Sequence, residues 1–421
     1  MKEFSSFYRS NLLIKVFALT FIFIFSSTLL AQDGEKKDPR YGGYARLFSM
    51  GDNPFIVDPD NIKTNPAYSS VYSNFLWGDI GSNNGIADEG NGQFAGFNYS
   101  LNKEFTLGAL LTRNDFMSSS SISSLDPGGL VNQINTNVPG ADVVPLNNNL
   151  EILSSYRFGN YVLGLGVSYA STKNDFTPAT GTGDKNSAMQ LGFNVGFMAD
   201  LSTSFKFDVD FAFLMPSATY EPGTGDKVEA SNTFMAANAR AFLKLSNKFT
   251  LVPIVGFYNG SGKVDVGAQS TDLPSMMRLG AGVGLTYQVE NLIISGGPSF
   301  VYESMTVASV ANVSPELKDS RLVFPAWNLG AEWYFTNWLI GRLGYVASTF
   351  SETSQIFASS TTVDENNRTG FSNGDVRLGV GFRFGGFNLD ATVNDDVLRQ
   401  GLNLIGGGTR TFAYLSASYG F

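Results

Sequence analysis

The chain has 421 residues, a net charge of -9, and neither Cys nor His. That composition removes disulfides, thiol chemistry, haem and zinc sites, and the side chain best suited to moving protons near neutral pH. No enzyme activity, metal or other cofactor is therefore expected, and no basic patch suits nucleic acid.

In chain order, Lys2, Arg9 and Lys15 precede an apolar run from Val16 to Leu30, and Ala31-Gln32 opens a polar stretch. Residues 1–31 read as a secretory signal peptide cleaved after about Ala31. Residues 32–70 form the second part, and 41–70 alternate poorly. Met50-Gly51-Asp52-Asn53-Pro54, Asp58-Pro59-Asp60 and Asn65-Pro66-Ala67 are turn-rich, which marks a periplasmic lead-in or a lumen plug. Residues 71–421 form the third part. There, 46 glycines in the whole chain and 14% aromatic content accompany strands of alternating polarity, with no run long and apolar enough for a membrane-spanning helix.

The first strand is expected at 74–80. Later ones are clearest at 189–197, 205–213, 277–287, 376–384, 387–394 and 411–421. Phe205, Phe207, Val209, Phe211 and Phe213 alternate with Lys206, Asp208, Asp210 and Ala212. Large apolar faces opposite charged or Gly-rich ones suit a strand between lipid and a lumen. G-x-G pairs such as Gly164-Leu165-Gly166 read as small lumen-facing residues. Strands of about 9–14 residues match a tilted bilayer crossing.

Short turns, such as Gly159-Asn160, Glu290-Asn291 and Gly385-Gly386, alternate with longer polar loops: 114–147, 172–186, 217–230, 260–274, 305–320, 351–370 and 396–408. The fold class is therefore all-β, a transmembrane antiparallel up-and-down barrel of about sixteen strands, with fourteen as the alternative. Loop 114–147 either folds inward or stands outside as a binding surface. Tyr287, Trp333 and Trp338 lie at the short-turn level, where an interfacial aromatic girdle belongs. Pro253, Pro298 and Pro325 interrupt good strands, so bulges are expected there.

Distance from the short turns places a charged belt at mid-height in the lumen: Asp208 and Asp210 on strand seven, Arg240 on eight, Arg342 on thirteen, Arg377 on fourteen and Asp390 on fifteen. Such a belt either selects solutes by its field or stabilises the wall through cross-strand pairs, Asp210 with Arg240 and Arg377 with Asp390. Inward Phe234, Phe242, Phe412 and Tyr414 add apolar surface.

The alternating C-terminal segment ending on Phe421 resembles the closing strand of bacterial outer-membrane barrels. That resemblance implies outer-membrane lipid around the wall, and recognition of the terminal aromatic by the barrel-insertion machinery. Asn65-Pro66-Ala67, placed between signal and barrel, resembles the N-terminal hatch of the long-chain fatty-acid transporter family and of related secretion-apparatus barrels. It implies a plugged lumen and a hydrophobic solute, although that family's barrels have about fourteen strands. The resulting expectation is a barrel of the Gram-negative outer membrane that passes or binds a small hydrophobic or polar solute. The alternatives are a general diffusion porin, or a non-transport barrel serving surface binding or secretion.

Overall fold

Inside a bilayer every backbone N–H and C=O must pair within the protein, and a closed β-barrel does this without an edge. In the computed structural model, which describes residues 41–80, 94–113, 121–309, 314–357, 362–372, 374–393 and 412–421, the wall closes in this way. The expected signal peptide and loop 396–408 lie outside the described residues.

Sixteen strands make the wall. The first four are β1 (Phe75–Ile80), β2 (Phe94–Ser100), β3 (Phe105–Arg113) and β4 (Asn148–Phe158). Then come β5 (Tyr161–Asp175), β6 (Lys185–Ser202), β7 (Phe205–Glu221) and β8 (Val228–Lys244). These are followed by β9 (Phe249–Val266), β10 (Ser275–Val289), β11 (Leu292–Val307) and β12 (Glu316–Tyr334). The last are β13 (Leu339–Phe357), β14 (Asp375–Phe384), β15 (Phe387–Val393) and β16 (Phe412–Gly420). Two further pieces extend the wall outward, Gln269–Asp272 against β9 and Val363–Phe371 against β13. All neighbours are antiparallel, and β1 closes the ring by pairing with β16, Phe75 opposite Gly420 and Ile80 opposite Leu415.

Period-two alternation sorts the side chains. On β4 and β5, burial alternates residue by residue. Leu165, Val195, Phe211, Val255, Leu285, Ile294 and Leu343 stand exposed on the outside. A continuous apolar belt of this extent is far beyond the patches that water-soluble monomers expose, and it suits lipid. At the short-turn end, outward rings follow one another from strand to strand: Phe158 and Tyr161 at 5.5 Å, Tyr161 and Phe197 at 5.9 Å, Phe249 and Tyr287 at 4.8 Å, Trp333 and Phe335 at 5.0 Å. Phe421 stacks on Tyr419 in the same girdle, and its N–H donates to the Asn74 carbonyl. Tyr414, Ser416 and Ser418 face in.

Two expectations need correction. Nine of the sixteen strands, β5 to β13, exceed 9–14 residues: β6 and β9 have 18, β12 and β13 have 19. Much of the expected loops 172–186, 217–230, 260–274, 305–320 and 351–370 is strand. Outside the bilayer a strand can keep pairing without an apolar face, so polarity alternation marks only the lipid-crossing part. The prolines also differ from one another. Pro298 keeps register opposite Trp327, and a single bulge on β12 at Pro325 shifts both of its ladders, between Ser299 and Val301 of β11 and between Val323 and Ala326 of β12. Pro253 keeps register opposite Val283, and the β8–β9 ladder simply lacks pairs between Arg240 and Leu243. A proline has no N–H to give.

The outward belt makes a direct prediction. Leu165→Arg, at mid-belt, should cost about 2–4 kcal/mol in reversible unfolding in lipid, whereas Leu201→Arg, beside a short turn, should cost about 1 kcal/mol or less.

Candidate functional site

Residues 41–72 do not join the wall. They cross the lumen as helix α1 (Tyr44–Ser49) and two single-turn 3-10 helices, Pro59–Lys63 and Pro66–Ser70. The local sequence explains these turns. Asp58 and Asn65 each cap a turn whose first residue is a proline, the position that needs no N–H. Asp58 also forms a capping box with Asn61. Periodicity is absent because each residue of this segment meets a different part of the wall.

A buried chain of charges anchors the segment. Arg46 donates bidentately to Glu332 on β12, at 2.9 and 3.2 Å, and to Asp58 at 3.0 Å. Glu332 also accepts from Arg342 on β13 at 2.6 Å, and Arg342 lies 2.8 Å from Asp390 on β15. Arg383 donates to the same Asp390 oxygen at 2.8 Å. Three carboxylates thus alternate with three guanidiniums, and the chain is neutral as a whole. Burial opposes the charge on Arg46, but Glu332 and then Asp58 outweigh it and raise its pKa well above the ordinary arginine value. Tyr41 lies under Arg383 at 4.3 Å and Arg46 at 5.4 Å.

The second anchor lies across the lumen. The Tyr68 hydroxyl donates to Asp208 at 2.6 Å and accepts from Arg240 at 3.0 Å, while Arg240 pairs with Asp208 at 3.1 Å. Arg240 also donates to the Pro54 and Ile56 carbonyls. Arg377 binds Asp52 of the segment and Asp375 of its own strand. Lys63 is buried against Asp60, with its ammonium 4.7 Å from the Phe94 ring.

The Asn65-Pro66-Ala67 turn sits on β5 to β7. Asn65 donates to the Val209 carbonyl at 3.1 Å and accepts from the Ala67 N–H at 3.0 Å. The wall glycines Gly164 and Gly196 lie directly beneath it. A Cβ on Gly164 would overlap the Ala67 nitrogen, and one on Gly196 would overlap Asn65. Gly284 faces the Phe55 ring in the same manner.

Every expected belt residue therefore faces the lumen, but the expected pairs are different. Asp210 accepts from Asn238 rather than from Arg240, and Asp390 binds Arg342 and Arg383 rather than Arg377. The β7–β8 register sets Arg240 opposite Asp208 and Asn238 opposite Asp210, the interior segment offers Asp52 to Arg377, and β13 brings Arg342 within reach of Asp390. Sequence reasoning missed Arg46, Asp58 and Glu332. The available signal was an Arg and an Asp inside a stretch rich in aromatic, apolar and glycine residues, and a Glu on the inward parity of β12. Phe234 is buried against Tyr258, and Tyr414 packs on Tyr44 and Phe48. The side chain of Phe412 lies outside the described residues.

The long loop also folds inward over its described part, 121–147. Its helix α2 (Leu130–Asn137) buries Leu130, Val131 and Ile134 against Ala170, Ala188, Ala218 and Ala230 of β5 to β8. Ser124 accepts from Gln190 at 2.8 Å, and Ile122 from Asn149 at 3.0 Å. The β3–β8 side of the lumen is thus roofed. Beneath the interior segment a cavity of about 360 Å³ opens beside the short turns. Val57, Val71, Met198 and Phe242 give it an apolar lining, and Arg157, Lys206 and Lys244 line it with cations.

No protein-family model matches this chain, and no curated protein does. Among solved structures it is similar to a Pseudomonas aeruginosa FadL homologue, at 11% identity and TM-score 0.41, covering 91% of this chain and 98% of that one. It is similar to the Pseudomonas putida toluene transporter TodX at 11% identity and TM-score 0.36, covering 91% and 99%. It is also similar to the FrpB iron transporter of Neisseria meningitidis at 9% identity and TM-score 0.38, covering 76% and 61%.

Removing one member of a buried ion chain leaves its partners uncompensated. Arg46→Ala should therefore weaken docking of the segment by about 3–5 kcal/mol. Hydrogen exchange should report it as lost amide protection over 44–49, with β10 to β13 still protected.

Proposed function

We propose that the chain is a plugged barrel of the bacterial outer membrane that passes a small solute with apolar and acidic parts. Residues 41–72 are its gate. The observation that carries this reading is the filled lumen: the segment is tied to opposite sides of the wall through Glu332 and Asp208. A freely conducting pore has no use for such ties, so the reading disfavours a general diffusion porin. The cavity under the segment supports the solute class, because its lining combines apolar side chains with three cations, Arg157, Lys206 and Lys244, against two carboxylates, Asp200 and Asp208, each of which is already paired with a cation. Its volume falls within the range of small-molecule pockets, about 300–1,000 Å³.

The ties also support gating by local rearrangement. An incoming acid that takes an arginine from its carboxylate leaves that carboxylate without its partner, so binding of the solute loosens the tie. Planar-bilayer recording tests the reading. The full-length mature protein should be closed, and deletion of residues 41–72 should open steady conductance. A steady open pore in the intact protein would contradict it.

A further inference from the structure

At the outer end of the lumen, five charged side chains lie in one row across neighbouring strands. Arg278 on β10 pairs in register with Glu303 on β11, Glu303 with Arg321 on β12, Arg321 with Glu352 on β13, and Glu352 with Arg368 of the outer extension. All five face inward. Gly284, of the same parity as Arg278, meets Phe55, and Gly344, of the same parity as Glu352, meets the segment at Gly51. On β12 the bulge at Pro325 moves the inward parity from Glu332 to Arg321. The row is level with outward Leu279 and Leu322, at the upper edge of the apolar belt.

The ion pairs leave much of each arginine unspent. Arg278 meets Glu303, and both Arg321 and Arg368 meet Glu352, in each case through Nε at 3.2 Å. The terminal Nη forks make no hydrogen bond among the described residues. A guanidinium carries five N–H donors, so each fork can still grip an oxyanion bidentately. These side chains are 56%, 43% and 69% exposed, for Arg278, Arg321 and Arg368, so water and solute reach them. The Phe350 ring lies 5.4 Å from the Arg321 guanidinium and 5.2 Å from that of Arg368, which holds the two side by side. Exposed ion pairs contribute little to stability, so a ligand can rearrange them readily.

We propose that this row is an oxyanion-binding collar for a solute carrying two or more carboxylate or sulfate groups. The three arginines are two strands apart, so the forks repeat at about 10 Å. Three guanidiniums against two carboxylates leave the row itself cationic. Asp319, two residues farther out on the inward face of β12, opposes that field. The collar sits on the β10–β14 side, the side that helix α2 does not roof. It binds the closed protein, so it does not depend on passage, and failure of either reading leaves the other standing.

Calorimetric titration of the full-length protein in detergent tests the collar with three probes: tetragalacturonate for carboxylates, a sulfated maltotetraose for sulfates, and uncharged maltotetraose. At least one acidic probe should bind, with affinity falling as salt rises, and the uncharged probe should not. Binding by only one acid keeps the collar and narrows its ligand to that acid. The triple variant Arg278→Gln, Arg321→Gln, Arg368→Gln should weaken binding about tenfold or more. Asp319→Asn should tighten it, and Lys318→Gln, a charge removed from the outward face, should leave it unchanged. Should the triple variant fail to fold, Phe350→Leu should still weaken binding. Equal binding of the uncharged probe, no binding of either acid, or full affinity in the triple variant would overturn the proposal. So would an equal loss with Lys318→Gln.

Discussion

The neutral chain of charges from Asp58 through Arg46, Glu332, Arg342 and Asp390 to Arg383 is the interaction on which the interior of this barrel depends. A buried charge is expensive alone and tolerable only in company. Four of the six members belong to the wall, and two belong to the interior segment. Each part is balanced in charge, two arginines with two carboxylates in the wall and Arg46 with Asp58 in the segment, and Arg46 joins them by pairing with Asp58 and Glu332 at once; without Arg46 the chain has one carboxylate in excess, and Asp58 is left with no cation. The segment is thus a component of the electrostatics of the wall, and its position is specified by charge together with the apolar packing of Met50, Phe55 and Ile62.

The same logic divides the lumen. On the β3–β8 side, small inward residues such as Ala188, Ala218 and Ala230 leave room for helix α2, and the roof is apolar. On the β10–β14 side, the inward face of the outer wall carries exposed charge. The lumen thus has a polar outer wall on one side, a tethered segment below it, and an amphipathic cavity beside the short turns. Long strands make this division: only the lower part of β12 and β13 crosses lipid, and the upper part is free to carry Arg321 and Glu352.

Much of the wall was legible because a strand between lipid and lumen must alternate with period two. Leu165, Phe211 and Leu343 could be placed outside from their parity, and Asp208, Arg240 and Asp390 inside. The closing pair of β1 and β16 followed from the need for an even, edgeless ring. Which charges pair was not legible, because Arg46 and Asp58 lie in a segment without periodicity, and only the fold carries Arg46 to Glu332. Strand ends were not legible either. The polarity pattern stops where lipid stops, while backbone pairing goes on. The inward fold of residues 121–147 had no signal in loop length alone, although the alanines facing it on β5 to β8 are a trace of it.

The most direct test of the gate uses a thiol tether. Ser69 of the interior segment and Ser155 of β4 have their hydroxyl oxygens 2.8 Å apart, and the chain has no native Cys to interfere. Ser69→Cys and Ser155→Cys introduced together with Arg46→Ala should give a barrel whose bilayer conductance opens when the tether is reduced and disappears when it is oxidised. Conductance that persists with the tether closed would contradict the claim that residues 41–72 are what closes this pore.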